Sequence, residues 1–275
     1  MSAHYLTHYR QEFVNAFSNS GGLFAGSYVD EAEINGNTAK FLVAGAPPEM
    51  VTRQGNGLIP AVNPSDTQPT ITLVEKHYKE TKKSFDIVNG QADQRMIMQN
   101  RAAKAVRREG DSVIRDTLTG ATNQFNGGTA LTAVSLANIT EIISDLYDNE
   151  IDDDGNIYCA WSPKVWAQLQ QIPAFTSSEY VRDGVLEGPQ QEKRRWLNAV
   201  HFMDPRATGK GTSACKNYIW HRDSLGYANN LLPGEDGYAA GFNSEDAYSY
   251  VRGSVHHGAS ILQQAGILEV LFDES

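Results

Sequence analysis

The stretch QADQRMIMQNRAAKAVRREGDSVIRDTL, residues 91–118, holds no proline and a single glycine. Taken as one helix it spans on the order of 40 Å at about 1.5 Å per residue, longer than most helices of a single domain. One face repeats Met96, Ala103, Val106, Gly110, Val113 and Thr117, in steps of seven, three, four, three and four residues. The period is helical, but the stripe is thin and its side chains are mostly small. A helix of this kind does not make a compact core alone. Another part of the chain, or another chain, has to cover it.

Composition bears directly on which. A chain of 275 residues accommodates one large domain or two ordinary ones. Hydrophobic residues make up 40% and the mean hydropathy is −0.43, so either much of the chain is exposed or its polar surfaces are interfaces. The net charge of −10 argues against a dedicated nucleic-acid binder, which would carry a basic excess or stripe. Cys159 and Cys215 are the only cysteines, so no disulfide framework is implied and a reducing compartment is expected. The N-terminal MSAHYLTHYRQEF has no apolar signal region, and no run approaches the roughly 18 apolar residues that a membrane span needs. A soluble protein without membrane contact is expected.

Residues 1–20 carry Tyr5, Leu6, Tyr9, Phe13 and Phe17 at helical spacing and end at Gly21-Gly22, a glycine stop. This is an amphipathic arm or the first helix of an ordinary core. Two extended stretches follow, Glu31 to Gly45 with an Asn35-Gly36 turn, and Thr70 to Val88 with a polar middle of Lys76, Lys79, Lys82 and Lys83. The sequence RQGNGLIPAVNPSDTQP between them has loop composition. Together they read as a long two-stranded arm with a loose tip, which needs another molecule to lie on, because an isolated hairpin is marginal in water. The other reading makes them edge strands of a larger sheet in the same chain.

Beyond the long helix, Gly120 to Leu131 is a loop and an expected domain boundary. Leu136 to Asn149 is a helix with Ile139, Ile142, Ile143 and Leu146 on one face, and Asn156 to Ser162 is an apolar strand. Pro163 then opens another helix. VHFMDP, NYIWHR and SLGYANN continue the strand signals, giving a mixed α and β domain from about 127 to 230. The C-terminal segment alternates strands and turns, closes on Ile267 to Phe272, and is expected to pack against the long helix.

Catalytic and metal motifs are mostly absent. Glu150 to Trp161 matches a calcium loop at Glu150, Asp152, Asp154, Gly155 and Ile157, but Trp161 occupies the position that must supply a bidentate carboxylate. An acidic turn before a strand is the plainer reading. ATGKGTSAC fails as a phosphate loop, since Lys210 is followed by Gly211 and Asp204 stands where the first glycine belongs. His256-His257 and the pair His4 and His8 lack a third ligand at a telling spacing. No G-x-S-x-G nucleophile elbow occurs. No catalytic, cofactor-binding or metal residue is nominated, and no enzymatic activity or cofactor is expected.

The order of parts resembles a known family. An arm is followed by an extended hairpin containing GNGLIP, and the return strand TITLVEKHYKETKKSFDIV leads directly into the long helix. A mixed domain follows with NITEIISDLYDNEI and YCAWSPKVWAQLQ, and the chain closes in GASILQQAGILEVLFDE. This is similar to the major capsid proteins of tailed bacteriophages with the Hong Kong 97-type fold, most of all those of short-tailed phages.

The resemblance implies an α+β fold in five segments. Residues 1–27 would be an N-terminal arm, and 28–88 the extended loop with its return strand, reaching over the adjacent subunit. Residues 89–126 would hold the spine helix of a peripheral domain, 127–235 an axial domain, and 236–275 strands returning to the peripheral domain. It implies a non-enzymatic protein assembling with itself into the pentamers and hexamers of an icosahedral virion shell, in the host cytoplasm. A separate scaffolding protein and a portal are expected as partners, a decoration protein is possible, and double-stranded DNA would be touched only non-specifically. Some family members form lysine–asparagine crosslinks. Lys40 lies in the hairpin region, but no motif singles out a pair. An encapsulin-like compartment shell and a cytosolic enzyme with an unrecognised site remain as alternatives.

Overall fold

In the computed structural model, which describes residues 21–30, 32–46, 49–50, 63–83, 94–176, 193–230 and 238–275, the long helix runs Gln94–Leu118 (α1). Residues 1–20 of the N-terminal arm and most of the loop tip expected at GNGLIP lie outside the described residues. The inward face of α1 is not the stripe expected from the sequence. Met98, Ala102, Asp111, Ile114, Arg115 and Leu118 are buried, whereas Met96 is 54% exposed. Asp111 and Arg115 are the reason. A stripe chosen by hydropathy discards charged positions, so it settled on the small residues beside the true face.

The described residues divide into two compact units. The first draws on 21–22, 75–112 and 230–257. Its sheet is ordered Tyr238–Asn243 (β10), Tyr248–Ile261 (β11) and Val74–Lys83 (β4), numbering strands in chain order. β10 and β11 are antiparallel, from Tyr238↔Gly253 to Asn243↔Tyr248. Met98 and Ala102 of α1 pack on Val251, with Tyr78 alongside. The approach is close: a Cβ on Gly253 would come 2.9 Å from Cγ2 of Val106. Gly21 is tighter still, since at φ +73° its Cβ would lie 2.5 Å from the backbone nitrogen of Arg108. The C-terminal segment therefore does cover the helix here.

β4 has little to bury, and charge holds it instead. Lys76 pairs with Glu109 at 2.5 Å and Arg101 with Glu80 at 3.0 Å, while Lys79 sits 5.8 and 6.0 Å from the ring centres of Tyr248 and Tyr250. These pairs are partly exposed, so each contributes no more than about 1 kcal/mol. For residues 74–83, the edge-strand reading of the extended stretch is the one that holds.

The second unit takes 23–74, 113–229 and 258–275. Its main sheet joins Ile157–Trp161 (β5), Arg194–Trp196 (β6), Ala199–Met203 (β7), Cys215–His221 (β8) and Ile267–Phe272 (β12) in the order β12-β8-β5-β7-β6. Only β5 and β7 run parallel. Most positions of the central strands are buried on both faces because both are covered. Ile157, Cys159 and Trp161 face a core with Ile139, Ile142 and Leu146 of Leu136–Tyr147 (α2) and Val165, Trp166 and Leu169 of Pro163–Leu169 (α3). Tyr158 and Ala160 face the other way, where Phe24, Phe202, Trp220 and Ile267 meet Ile114 and Leu118 from the end of α1. Pro173–Thr176 (α4) adds Phe175 to the first core.

Two assignments shift. The last strand, grouped by sequence with a return to the peripheral domain, pairs with β8, because all but one of its residues are buried and the sheet offers cover on both faces. The loop 120–131, expected as a domain boundary, closes the outer edge of that strand through bridges Gln124↔Glu269 and Leu131↔Phe272. The division between units falls inside α1, after Ser112. Compact units thus gather the chain segments differently from the five-part order of the sequence.

Candidate functional site

The acidic turn before β5 is committed to its own neighbours. Asp154 accepts from the backbone and side-chain nitrogens of Asn156 at 2.9 and 2.6 Å, and pairs with Nε2 of His221 at 3.0 Å. Burial opposes its charge, but these donors win and hold its carboxyl down at about 2. Asp153 accepts from the Tyr147 hydroxyl at 2.8 Å and from Asn198. Trp161 is buried within β5, and its indole has no oxygen to offer an ion. Burial, then Asp153, pushes the Tyr147 hydroxyl up to about 12.

The failed phosphate loop is a turn. Thr212 Oγ1 donates to Gly209 O at 2.6 Å, Lys210 Nζ donates to Pro205 O at 3.3 Å, and Gly211 N donates to Glu274 at 2.8 Å. His257 is buried and its basicity is lowered by that burial; His4 and His8 lie outside the described residues. Burial raises the Cys159 thiol well above its usual range and, with Glu274 beside it, pushes Cys215 up to about 12. Neither is a poised nucleophile. Among the described residues no group of three or more His, Cys, Asp or Glu converges as metal ligands, and no helix is long and apolar enough to cross a membrane.

The sequence missed a polar pair that organises the second unit. Arg115 donates through Nε and Nη2 to both carboxylate oxygens of Asp204, at 2.6 and 2.7 Å, with both side chains buried. Asp204 also accepts from Arg206 N at 3.0 Å, and the guanidinium lies 5.7 Å from the Phe24 ring centre. No local signal in the sequence links these positions. Only the fork geometry of arginine against carboxylate makes such burial tolerable.

The surface that stands out is the extended loop. At its base Val29 accepts from Tyr227 N and donates to Leu225 O of the strand Leu225–Asn229 (β9), each at 2.9 Å. Glu33–Asn35 (β1) and Thr38–Lys40 (β2) then form a tight hairpin about Asn35-Gly36, with Gly36 at φ +62°. Thr70–Thr72 (β3) pairs with β2. Ala39, Phe41, Ile71 and Leu73 bury against Ala228.

Beyond that cluster the loop continues as a bare ladder. Phe41 N donates to Pro69 O at 3.0 Å, Val43 and Thr67 exchange bonds of 2.9 Å, and Gly45 N donates to Asp66 at 2.9 Å. Gly45 is required, since a Cβ there would come 2.4 Å from Ser65 O. Leu42 is 74% exposed and Met50 is fully exposed, while Lys40 is exposed at the end of β2. Nothing on this ladder resembles a reaction site. It is a preformed arm with apolar side chains offered outward.

The phage capsid protein family matches residues 1–274. No curated protein sequence matches the chain. Among solved structures, a chain of Mycobacterium phage Che8 is similar at TM-score 0.70 with 17% identity, covering 95% of each chain. A chain from the capsid of cyanophage P-SCSP1u reaches 0.67 with 14% identity, covering 99% of this chain and 94% of that one. One from the capsid of a native GTA particle reaches 0.69 with 12% identity, covering 98% and 96%. These likenesses establish the fold, the Hong Kong 97-type capsid architecture, over nearly the whole length. With the family match spanning almost every residue, the chain belongs to the phage capsid protein family, as a major capsid protein with a structural role in the virion shell.

Proposed function

We propose that this major capsid protein builds its icosahedral shell from pentamers and hexamers, and that the loop of residues 28–88 is the arm by which each copy holds the next. The observation that carries this is the ladder from Phe41 to Gly45 against Asp66 to Pro69. It is hydrogen-bonded within the subunit, yet it leaves Leu42 exposed, so its apolar side is covered only where a neighbour completes it. Spine helix and axial domain then take the segment roles expected from the sequence, while Ile267–Phe272 stays in the sheet of the second unit. The partners are other copies first. A separate scaffolding protein, a portal and loosely held double-stranded DNA belong to the same reading, with assembly in the host cytoplasm. The family match favours this reading over a cargo compartment or an enzyme.

The test is size-exclusion chromatography with negative-stain microscopy, on the protein alone and with its neighbouring gene products. Rings of five and six or closed shells are expected. A monomer whose residues 28–88 resist protease would overturn the reading.

A further inference from the structure

The sheet of the first unit has two edges, built in opposite ways. β4 carries Glu75, Lys76, Lys79, Glu80, Lys82 and Lys83, and charges of this kind, lysine above all, keep an edge strand from pairing with other chains. β10 reads YAAGFN, without a charge or a proline. Among the described residues its only pairing neighbour is β11, and no described residue bonds to its outer row of peptide groups.

The helix covers one strand and stops short of the other. Ser249 and Val251 of β11 are buried. Their register partners on β10 are Phe242 and Ala240, of which Phe242 is 54% exposed and Ala240 is exposed too. The uncovered strip is a shallow groove of about 310 Å³, lined by Gln99, Asn100, Ala103, Ala239, Ala240 and Val251. An open, uncharged edge beside an apolar groove is what strand addition uses. Main-chain bonds supply affinity, and alternate side chains enter the groove.

We propose that β10 is a pairing edge for a second copy of this chain, which lays an extended segment along Tyr238–Asn243 with its apolar side chains in the groove beside Ala103. The proposal rests on the shell reading, in which the neighbours of a subunit are copies of itself. Charge favours the same occupant: copies of a chain of net charge −10 repel, and they repel least across a strand that carries none. Because one edge receives a different segment, the contact is heterologous and can propagate around a ring.

Phe242→Cys labelled with benzophenone maleimide tests it in particles assembled from the full chain. Cys159 and Cys215 are buried, so the label reports residue 242. Irradiation is expected to give dimers and higher multimers of this chain. Adducts only with a different protein, or none, overturn the proposal. A second measurement needs no variant: amides 238–243 of the wild-type protein are expected to exchange at least about tenfold more slowly in particles than in unassembled subunits. Equal exchange in wild-type particles overturns the pairing edge and leaves the shell reading standing. A wild-type protein that never leaves the monomer overturns both.

Discussion

Trp161 donates its indole N–H to Nδ1 of His201 at 2.9 Å, with the rings 8° from parallel, and Nε2 of the same imidazole meets Trp196 O at 3.0 Å. Indole is only a donor and a carbonyl only an acceptor, so the geometry fixes His201 as the neutral Nε2–H tautomer. Phe175 and Trp196 close the box, and the ring is fully buried.

That arrangement makes the fold acid-sensitive. Burial, only partly offset by the bond to Trp196, lowers the His201 pKa to about 4. The unfolded chain binds the proton from about pH 6.5 downward. The contribution is therefore complete above pH 6.5 and declines as pH falls to 4, by on the order of 3 kcal/mol. His201→Gln keeps one acceptor and one donor but does not titrate. Denaturant unfolding of unassembled subunits between pH 7 and 4 should show the wild type losing stability relative to this variant. A pH-independent difference between them would refute the assignment.

The Arg115–Asp204 pair predicts strong non-additivity. Arg115→Ala or Asp204→Ala leaves a buried charge alone and should cost about 3–5 kcal/mol. Replacing both together, as Arg115→Met with Asp204→Leu, should cost much less than the sum. Urea titrations of all variants make the comparison; additive losses would mean that the two charges do not depend on each other.

Glu274 ties the last residues of the chain to the second unit. Its carboxylate accepts from Ser162 Oγ, the cap of α3, and from Gly211 N, while its backbone oxygen accepts from Lys164 Nζ at 2.6 Å. Glu274→Ala should cost about 1–3 kcal/mol and speed hydrogen exchange in the 208–212 turn, with Lys164 still in place. Unchanged exchange there would show that the carboxylate is not what holds the turn.

The loop should separate folding from assembly. Leu42→Asp places a charge on a side chain that touches little in the subunit, so stability should stay within about 0.5 kcal/mol while the yield of rings and shells collapses. Gly45→Ala, which drives a Cβ toward Ser65 O, should act in the same direction by splaying the ladder. Normal shells from both variants would remove the loop from the interface.

What the sequence determined by itself was local. The long proline-free run became α1, Pro163 opened α3, Asn35-Gly36 turned a hairpin, and Ile267 to Phe272 became a strand with those bounds. Periodicity and turn chemistry act over a few residues, and a short window contains them. The order of these segments also carried the family resemblance. The tertiary structure decided everything that depends on a distant partner. Arg115 lies on the inner face of α1 only because Asp204, 89 residues away, supplies its counter-charge. β12 joins β8 because that edge was open to a strand that must be buried on both faces, Glu269 included, which Lys216 and Tyr218 of β8 satisfy. His201 is neutral because Trp161 and Trp196 enclose it. In each case burial of a polar or two-faced segment is favourable only once its complement is in place, and no local pattern records where that complement will come from.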